Sequence, residues 1–349
     1  MPRICRLGSA MLLVCALDLS AQKPVTIPSA PTCPKCVVQL STVARVGGAD
    51  DPASAGLMPE VVRTGRGQFL VSSSTFLGEV FVYDPNGKFI RSIGRRGGGP
   101  GEFNAPPRLT VDAMDTVRAI ESGTRYHVIA PDLAIKRTTP LVMSVSAAVA
   151  EADGKLFAVT PSSSGPNATT LGVFDRAGQR VQAFGRLPSG VDAEMRFRRL
   201  AIGPNGSRWG INTAAYVIER WQPDGSSAQK LIAERDWLKK SNEPAGDARL
   251  RKPPARLVGL LVDARERLFV FAIVADANWK PVGANPAAEP NLVFDTLVEV
   301  IDPRTGTLIA RTRLDQFLVP MHGTLAYSTF EDETGDRRIQ VWNVSLLQR

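Results

Sequence analysis

Residues 80–90 read VFVYDPNGKFI: an apolar run, an acidic turn containing proline and glycine, and a second apolar run. Such a stretch predicts two antiparallel β-strands joined by a tight turn. Related stretches recur along the chain, and the residues just before their turns are Tyr83, Ile129, Phe174, Trp221, Ile301 and Trp342, at intervals of 46, 45, 47, 80 and 41. A strand unit that repeats about every 45 residues is typical of the blades of a β-propeller.

A second pattern, a turn followed by an apolar strand, precedes each copy of the first. Its six copies contain Phe69, Val117, Phe157, Trp209, Phe269 and Leu325. Together with the strand before it and the strand pair after it, each copy accounts for four strands. We therefore predict an all-β fold, a six-bladed β-propeller with four-stranded antiparallel blades.

The interval of 80 residues contains a single copy of the second pattern, so insertions explain it better than a further blade. One insertion, residues 231–256, is predicted to form a short helix and a loop. The other, residues 275–295, is rich in proline and alanine. Loops carry function more often than strands do, and Trp237 and Trp279 are candidate contacts if the protein is a scaffold within an envelope complex.

The last blade lacks an outer strand, whereas residues 37–46 form a strand without a blade of their own. We predict that these residues complete the sixth blade and close the ring, because closure removes exposed strand edges. The propeller then spans residues 37–349, and residues 22–36 form a separate N-terminal segment.

The first 21 residues have the layout of a secretory signal: a basic start, an apolar run over residues 10–17, and small residues before a cleavage point after Ala21. Lipid attachment at Cys15 is the alternative, although Val14 departs from the small residue that usually precedes such a cysteine. No later stretch approaches the about 20 apolar residues that cross a membrane. We expect a soluble monomer in the periplasm or outside the cell.

Two cysteines follow that signal, Cys33 and Cys36, in the motif TCPKCVV. Haem attachment would need a histidine where the chain has Val37. A structural zinc site would need four ligands, and the mature chain adds only His127 and His322. Thioredoxin-like chemistry would place the motif at the start of a helix, but a strand-like run follows it. We predict a local disulfide between Cys33 and Cys36, which suits an oxidising compartment.

The chain is basic, with a formal net charge of +8 at pH 7. Its basic residues are scattered, without a run of five or more like charges, so the sequence does not favour a nucleic-acid-binding protein. Weak attraction to anionic polymers of the cell envelope is compatible with this charge.

The loop GRRGGGPGEF, residues 94–103, has the composition of a phosphate-binding loop without its spacing. The G-x-G-x-x-G pattern fails from each glycine, and Pro100 follows Gly99 where a phosphate loop has lysine. Because related loops recur at Gly47 and Gly185, we predict a joint that turns the chain from one outer strand to the next inner strand, with Phe103 entering the core.

The order of outer strand, GRRGGGPGEFNAPP loop, inner strand, DAMDTV turn and DPNG-type turn resembles the NHL-type six-bladed β-propellers, especially exported bacterial proteins of that group. The resemblance extends over nearly all of the mature chain and is best over residues 80–132. It implies the propeller fold and export. The amidating lyase of this type holds zinc through three histidines, and the mature chain has only His127 and His322, so that site cannot be assembled.

Lactonase-like and paraoxonase-like propellers hold calcium near the central axis with carboxylate and amide oxygens. Asp112, Asp263 and Asn212 are candidates for such a site, but no spacing singles them out. A Ser-His-Asp set is not supported, because the nucleophile-elbow motif is missing and the mature chain has two lone histidines. The aspartates of the hairpin turns are better explained as backbone caps: Asp84, Asp175 and Asp302.

The loops between blades meet at one mouth of the central channel. They bring together Arg95, Arg96, Glu102, Arg186 and Arg196, a set that suits an anionic ligand or a peptide. We predict a non-catalytic protein without a cofactor that binds such a ligand, or a protein partner, at the cell envelope. The alternative is a calcium-dependent, lactonase-like hydrolase acting at the central channel.

Overall fold

The computed structural model describes residues 23–48, 51, 58–73, 78–121, 125–141, 143–160, 169–186, 197–238, 252–281 and 290–348. Six sheets follow one another around a central axis, and inner strands of successive blades lie side by side. This arrangement is the predicted six-bladed β-propeller. Among the described residues, Pro290–Val293 (α1) is the single helix.

The N-terminal segment contributes β1 (Val25–Thr26) and β2 (Cys36–Val46). Blade 1 consists of β3 (Glu60–Arg63), β4 (Phe69–Ser72), β5 (Val80–Tyr83) and β6 (Phe89–Ile93). Blade 2 consists of β7 (Arg108–Val111), β8 (Val117–Glu121), β9 (Arg125–Ile129) and β10 (Ile135–Pro140). Blade 3 consists of β11 (Ala147–Ala150), β12 (Leu156–Val159), β13 (Thr169–Phe174) and β14 (Arg180–Arg186).

Blade 4 consists of β15 (Arg198–Ile202), β16 (Arg208–Asn212), β17 (Val217–Trp221) and β18 (Ser227–Ile232). Blade 5 consists of β19 (Arg256–Val262), β20 (Leu268–Ala275), β21 (Phe294–Asp302) and β22 (Thr307–Leu314). Blade 6 consists of β23 (Val319–Pro320), β24 (Leu325–Glu331), β25 (Arg337–Gln348) and the N-terminal β2.

The two sequence patterns fall on the strands that they predict. All six residues of the second pattern lie on second strands, and all six of the first lie on third strands. In blades 3, 4 and 5 the second strand begins one residue before the residue singled out in the sequence, at Leu156, Arg208 and Leu268. The element order is therefore confirmed, with a one-residue difference in these starts.

The core lies between and within the blades, where large side chains of the second, third and outer strands interlock. Phe157 of β12 packs against Phe184 of β14 and Trp221 of β17, with ring centroids 5.9 Å apart in each pair. All three side chains are buried. Such aromatic contacts bury a large apolar area in a specific geometry, which joins blade 3 to blade 4.

The aspartates of the hairpin turns cap their own backbone, as predicted. Asp84 Oδ1 accepts hydrogen bonds from the backbone N–H groups of Asn86 and Lys88, both at 2.9 Å. Asp175 and Asp302 accept equivalent bonds in their turns. These carboxylates satisfy turn donors that the strands leave unpaired.

The hairpin turn of blade 1 rests directly on the outer strand of blade 6. Gly87 has a φ of +90°, and a Cβ atom there would lie 1.7 Å from the carbonyl oxygen of Arg45 in β2. The amide of Gly47 donates a 3.0 Å hydrogen bond to the carbonyl of Gly87. Only glycine fits both the backbone angle and this approach.

The loop of residues 94–103 is a joint between blades 1 and 2, in agreement with the prediction. The Phe103 amide donates to the Arg95 carbonyl at 2.8 Å, and the Phe103 side chain is fully buried between the blades. Gly78 permits a close approach, because a Cβ there would lie 2.3 Å from the Arg96 Cα atom.

The N-terminal residues 23–35, which we call the strap, cross the rims of blades 4 and 5. β1 pairs in parallel with β18 and gives blade 4 a fifth strand. Thr32 and Cys33 then donate backbone hydrogen bonds to the carbonyls of Leu308 and Ile309 in β22. A two-residue strand leaves no alternation in the sequence, so β1 was not predicted.

The strap leads into β2, which pairs antiparallel with β25 and completes blade 6. The predicted closure of the ring is confirmed, with the strand beginning at Cys36 rather than at Val37. The predicted disulfide between Cys33 and Cys36 is also present, at the point where the chain passes from blade 5 to blade 6.

A buried charge network anchors the strap. The Glu299 carboxylate accepts hydrogen bonds from Arg235 Nε at 2.9 Å, from Arg311 Nε at 2.7 Å and from the Tyr216 hydroxyl at 2.7 Å. Arg235 also donates to the carbonyl of Ile27, whose side chain is buried in the core. The strap is therefore held by both apolar packing and buried hydrogen bonds.

The insertions are only partly described. In the first, Trp237 packs edge-on against Tyr216 with ring centroids 6.3 Å apart, and the predicted helix does not occur in the described part. Residues 239–251 lie outside the described residues. In the second insertion, a turn closed by the hydrogen bond from the Trp279 amide to the Asp276 carbonyl follows β20, α1 precedes β21, and residues 282–289 lie outside the described residues. Within the described residues, none of the helical structure is long and apolar enough to span a bilayer.

Candidate functional site: the central channel

The inner strands of the six blades enclose a channel with a cavity of about 290 Å³. Its lining is mostly valine, leucine, alanine and isoleucine side chains. The connections from each preceding blade enter at one end, which we call the loop end. The turns that follow the inner strands form the other, which we call the turn end.

Five inner strands place one residue at the same level of this channel, three positions before the last residue of each strand. These residues, which we call the charged level, are Glu60, Arg108, Ala147, Arg199 and Gly259. Three blades thus supply ionisable side chains near the loop end, and two supply very small residues. The three charged side chains are exposed to the cavity.

The three charges act on one another across the cavity. Enclosure by the channel raises the pKa of Glu60, and the positive charges of Arg108 and Arg199 oppose that rise. Enclosure also lowers the pKa of Arg199, and the like charge of Arg108 lowers it further. Close charges in a partly desolvated site interact more strongly than in water.

The partners of these charges differ. Arg108 donates from Nη1 to the carbonyl of Ser146, the residue before Ala147. Neither Glu60 nor Arg199 makes a side-chain hydrogen bond or ion pair within the part of the chain that the structure describes. The charged level therefore combines one anchored cation with a second cation and an anion that face open space.

Two further titratable side chains border the cavity among the described residues. The buried Tyr327 donates its hydroxyl to the carbonyl of Pro59, and burial raises its pKa. His322 lies at the turn end, where enclosure by the channel lowers its pKa. Both side chains are neutral at pH 7, so the charge of the channel is concentrated at the charged level.

The predicted ligand-binding loops lie at the loop end, but those of their charged residues that the structure describes do not line the cavity. Arg95 forms an ion pair with Glu102 at 2.7 Å and its side chain is 80% exposed. Arg96 and Arg186 are exposed. Arg196 lies outside the described residues. The structure thus places Arg95, Arg96, Glu102 and Arg186 away from the channel lining, and a role in binding for the five predicted residues stays a prediction.

A buried network fixes the joint loop beside the channel. Glu121 accepts hydrogen bonds from Arg125 at 2.6 Å and from the Asn104 amide at 2.6 Å, and lies 3.4 Å from His127 Nε2. Arg125 also donates to the Gly98 carbonyl at 2.7 Å. Burial raises the pKa of Glu121, but these donors outweigh it and the pKa is lowered. His127 is thus a buried structural residue.

The predicted calcium ligands are not brought together. Asp112 and Asp263 follow the inner strands β7 and β19, at the turn end, where they cap turns and pair with Arg118 and Arg267. Asn212 lies at the opposite end of its blade and accepts hydrogen bonds from backbone amides. Calcium binding by these residues stays a prediction that their geometry does not favour.

One group of three carboxylates occurs elsewhere among the described residues. Oxygens of Asp276, Asp295 and Asp315 lie within 4.8 Å of one another at the edge of blade 5. Asp295 is already paired with Arg313 and accepts a hydrogen bond from the Ala277 amide. None of these residues lines the central cavity.

Sequence reasoning missed Glu60, Arg108 and Arg199. A signal exists once the blades are aligned, because all three occupy one position in the inner strand. Inner strands are short and weakly patterned, so the repeats of the second and third strands had to supply the register. A charged residue at this position of an inner strand is then the clue to a channel site.

Comparisons with known proteins agree with the fold. The family model of DUF5128, described as a 6-bladed beta-propeller, matches residues 60–157. No curated protein matches the chain. A protein from Bacteroides fragilis, named as exported, is similar with a TM-score of 0.58 at 12% identity, over 94% of this chain and 100% of that one.

Two further solved structures are similar to this chain at low sequence identity. A member of the DUF4221 family from Bacteroides vulgatus has a TM-score of 0.58 at 11% identity, over 89% of this chain and 99% of that one. Virginiamycin B lyase from Staphylococcus aureus has a TM-score of 0.48 at 8% identity, over 88% and 99%. At these identities the likeness concerns the fold alone.

Proposed function

We propose that the protein binds a small molecule in the central channel, in an extracytoplasmic compartment, and performs no chemistry on it. The observation that carries the proposal is the charged level, where Glu60 and Arg199 face the cavity without a described partner. Both side chains are exposed inside the channel. A ligand with complementary charged groups would form hydrogen-bonded ion pairs with them in a partly enclosed site.

The size of the cavity supports a small ligand over a protein partner. Its volume of about 290 Å³ lies at the low end of the range for small-molecule sites. Its apolar walls and few convergent polar groups are also typical of such sites. Protein binding at the rim, through Arg95 and Arg186, is the competing interpretation.

The compartment is inferred from three observations of different kinds. The Cys33–Cys36 disulfide persists best in an oxidising environment. The first 21 residues have the layout of a secretory signal. The similar protein from Bacteroides fragilis is named as exported. Assignment to the NHL-type group rests on the sequence resemblance alone.

The test uses residues 22–349 and a panel of small aliphatic and aromatic carboxylates with inorganic phosphate. Thermal shift and calorimetric titration would be compared for the natural chain, an Arg108→Ala/Arg199→Ala channel variant and an Arg95→Ala/Arg186→Ala rim variant. We expect at least one compound of the panel to bind the natural chain. Its binding should be lost in the channel variant and kept in the rim variant. Binding that is lost only in the rim variant would overturn the channel proposal.

Calcium-dependent hydrolysis is the alternative function. The unfolding temperature measured in EDTA and then in calcium separates the two. A large calcium-dependent rise, together with hydrolysis of a simple lactone, would favour the hydrolase. An unchanged temperature and no hydrolysis would leave binding as the function.

A further inference from the structure

We infer that the channel ligand is a small apolar acid with a hydrogen-bond donor next to its carboxylate, as in an α-amino acid or an α-hydroxy acid. This inference rests on the proposed function and specifies the ligand of the same site. It follows from the order of side chains around the charged level, from their charges and from the walls below them.

The order around the ring creates a gap between two cations. Blade 2 supplies Arg108 and blade 4 supplies Arg199, while blade 3 between them supplies only the methyl group of Ala147. Arg108 leans toward that gap, since it donates to the carbonyl of Ser146. A carboxylate placed over Ala147 would therefore lie between two guanidinium groups, which suit carboxylate geometry.

Glu60 then sets a second requirement on the ligand. It occupies the adjacent blade 1, beside Arg108, and an ionised carboxylate only accepts hydrogen bonds. A ligand with a carboxylate alone would meet repulsion from Glu60. A ligand with an ammonium or hydroxyl group next to its carboxylate would donate a hydrogen bond to Glu60. Its carboxylate would at the same time accept hydrogen bonds from Arg108 and Arg199.

The net charge of the level limits the ligand further. Arg108, Arg199 and Glu60 sum to one positive charge, which suits a carboxylate carried by a small molecule better than a polyphosphate. The wall adjoining the charged level includes the half-buried Val149, Leu200 and Val258. A side chain of the size of a leucine would find apolar contacts there.

Four probes of one carbon skeleton test this inference by calorimetric titration of residues 22–349. They are leucine, 2-hydroxy-4-methylpentanoate, 4-methylpentanoate and leucinamide. We expect leucine or the hydroxy acid to bind at least about tenfold more tightly than 4-methylpentanoate, because the latter leaves Glu60 unsatisfied. Leucinamide, which lacks the carboxylate, should not bind. The comparison of leucine with the hydroxy acid shows which donor the site prefers.

The Glu60→Gln variant should reduce the discrimination between the probe with a donor and 4-methylpentanoate, and Glu333→Gln on an exposed turn should leave it unchanged. Circular dichroism confirms that each variant is folded. Equal binding of leucine, the hydroxy acid and 4-methylpentanoate would overturn the inference and leave the proposed function standing. Binding of none of the four would also overturn it, and the carboxylate and phosphate panel would then decide separately whether the channel binds small molecules.

Discussion

Blades 4 to 6 and blades 1 to 3 have the same strand order but are held at their rims in different ways. In the first group, the strapped half, the N-terminal chain adds β1 to blade 4, hydrogen bonds to β22 of blade 5 and supplies β2 of blade 6. In the second group, the open half, single side chains reach the next blade, as when Arg91 donates to the Leu133 carbonyl at 2.8 Å.

This difference separates two tasks of the fold. Cohesion between neighbouring blades needs only packing and local hydrogen bonds, which the open half has. Closure of the ring needs a connection between distant parts of the chain, which the strapped half provides. The following predictions test whether the strapped half is the place where stability is most sensitive to change.

The largest effect is expected from Glu299→Ala in the strapped half. The substitution leaves Arg235 and Arg311 without the carboxylate that they share, and breaking a buried ion pair from one side costs about 3–5 kcal/mol. Urea unfolding measures the loss. The exposed Glu333→Ala is the control and should change stability by less than about 0.5 kcal/mol. Equal effects of the two substitutions would show that the network does not anchor the strap.

The second effect concerns the contact that closes the ring. Gly87→Ala combines a positive φ with a clash against the Arg45 carbonyl, whereas Gly335→Ala has a similar φ and no atom within 4 Å of the new Cβ. The backbone angle costs about 1–2 kcal/mol in both, and overpacking adds about 1–3 kcal/mol at Gly87 alone. Urea unfolding of both variants measures the two losses of unfolding free energy. Their difference gives the cost of the clash at the contact between blades 6 and 1. A difference near zero would mean that this contact adjusts without cost.

A third effect is expected from the disulfide of the strapped half. Closing a loop of four residues stabilises the folded state by about 2 kcal/mol in the chain-entropy model. The Cys33→Ser/Cys36→Ser variant should lose that amount of unfolding free energy. A reductant should lower the unfolding free energy of the natural chain but not that of the variant. Alkylation of two thiols in the untreated protein, read by intact mass, would refute the disulfide itself.

A smaller effect is expected in the open half. Arg91→Ala removes the hydrogen bond to the Leu133 carbonyl, which is exposed, and should cost about 0.5–1.5 kcal/mol. Lys88→Ala, at the exposed residue just before the same strand, is the control. A loss as large as that of Glu299→Ala would contradict the contrast between the two halves.

The smallest effect on stability is expected at acidic pH. The hydroxyl of Thr334 and the charge of Arg338 lower the pKa of Asp332 from 3.8 to about 2. Its contribution is therefore fully present above pH 4 and is lost as the pH falls toward 2. The stability difference between the natural chain and Asp332→Asn should shrink over that window. A difference that stays constant down to pH 2 would show that the lowered pKa does not stabilise the fold.

Much of the fold could be predicted because the repeated strands carry strong local patterns. Tyr83 and Phe174 precede turns with unmistakable composition, and their spacing alone indicates blades. Ring closure followed from counting strands at the two ends of the chain. The strap segment β1 could not be predicted, since two residues that pair with β18 have no pattern of their own.

The candidate site was harder to predict for a physical reason. The arginines of the joint loops are conspicuous in the sequence, but Arg95 is paired with Glu102 at the exposed rim. Arg108 and Arg199 are single charges in short strands, and only the ring brings them to one level. Their role depends on their proximity to each other across the channel axis. No pattern within a short stretch of sequence indicates that proximity.

The pairing of β2 with β25 has a consequence for the order of events during synthesis. Residues 36–46 leave the ribosome long before their partner strand β25, which ends at residue 348. Until β25 has been synthesised, β2 lacks the strand with which it pairs. Folding of the blades can proceed from one neighbour to the next, but joining the two ends of the chain must come last. A chain truncated before β25 would therefore retain the strands of blades 1 to 5 but could not complete blade 6 or close the ring.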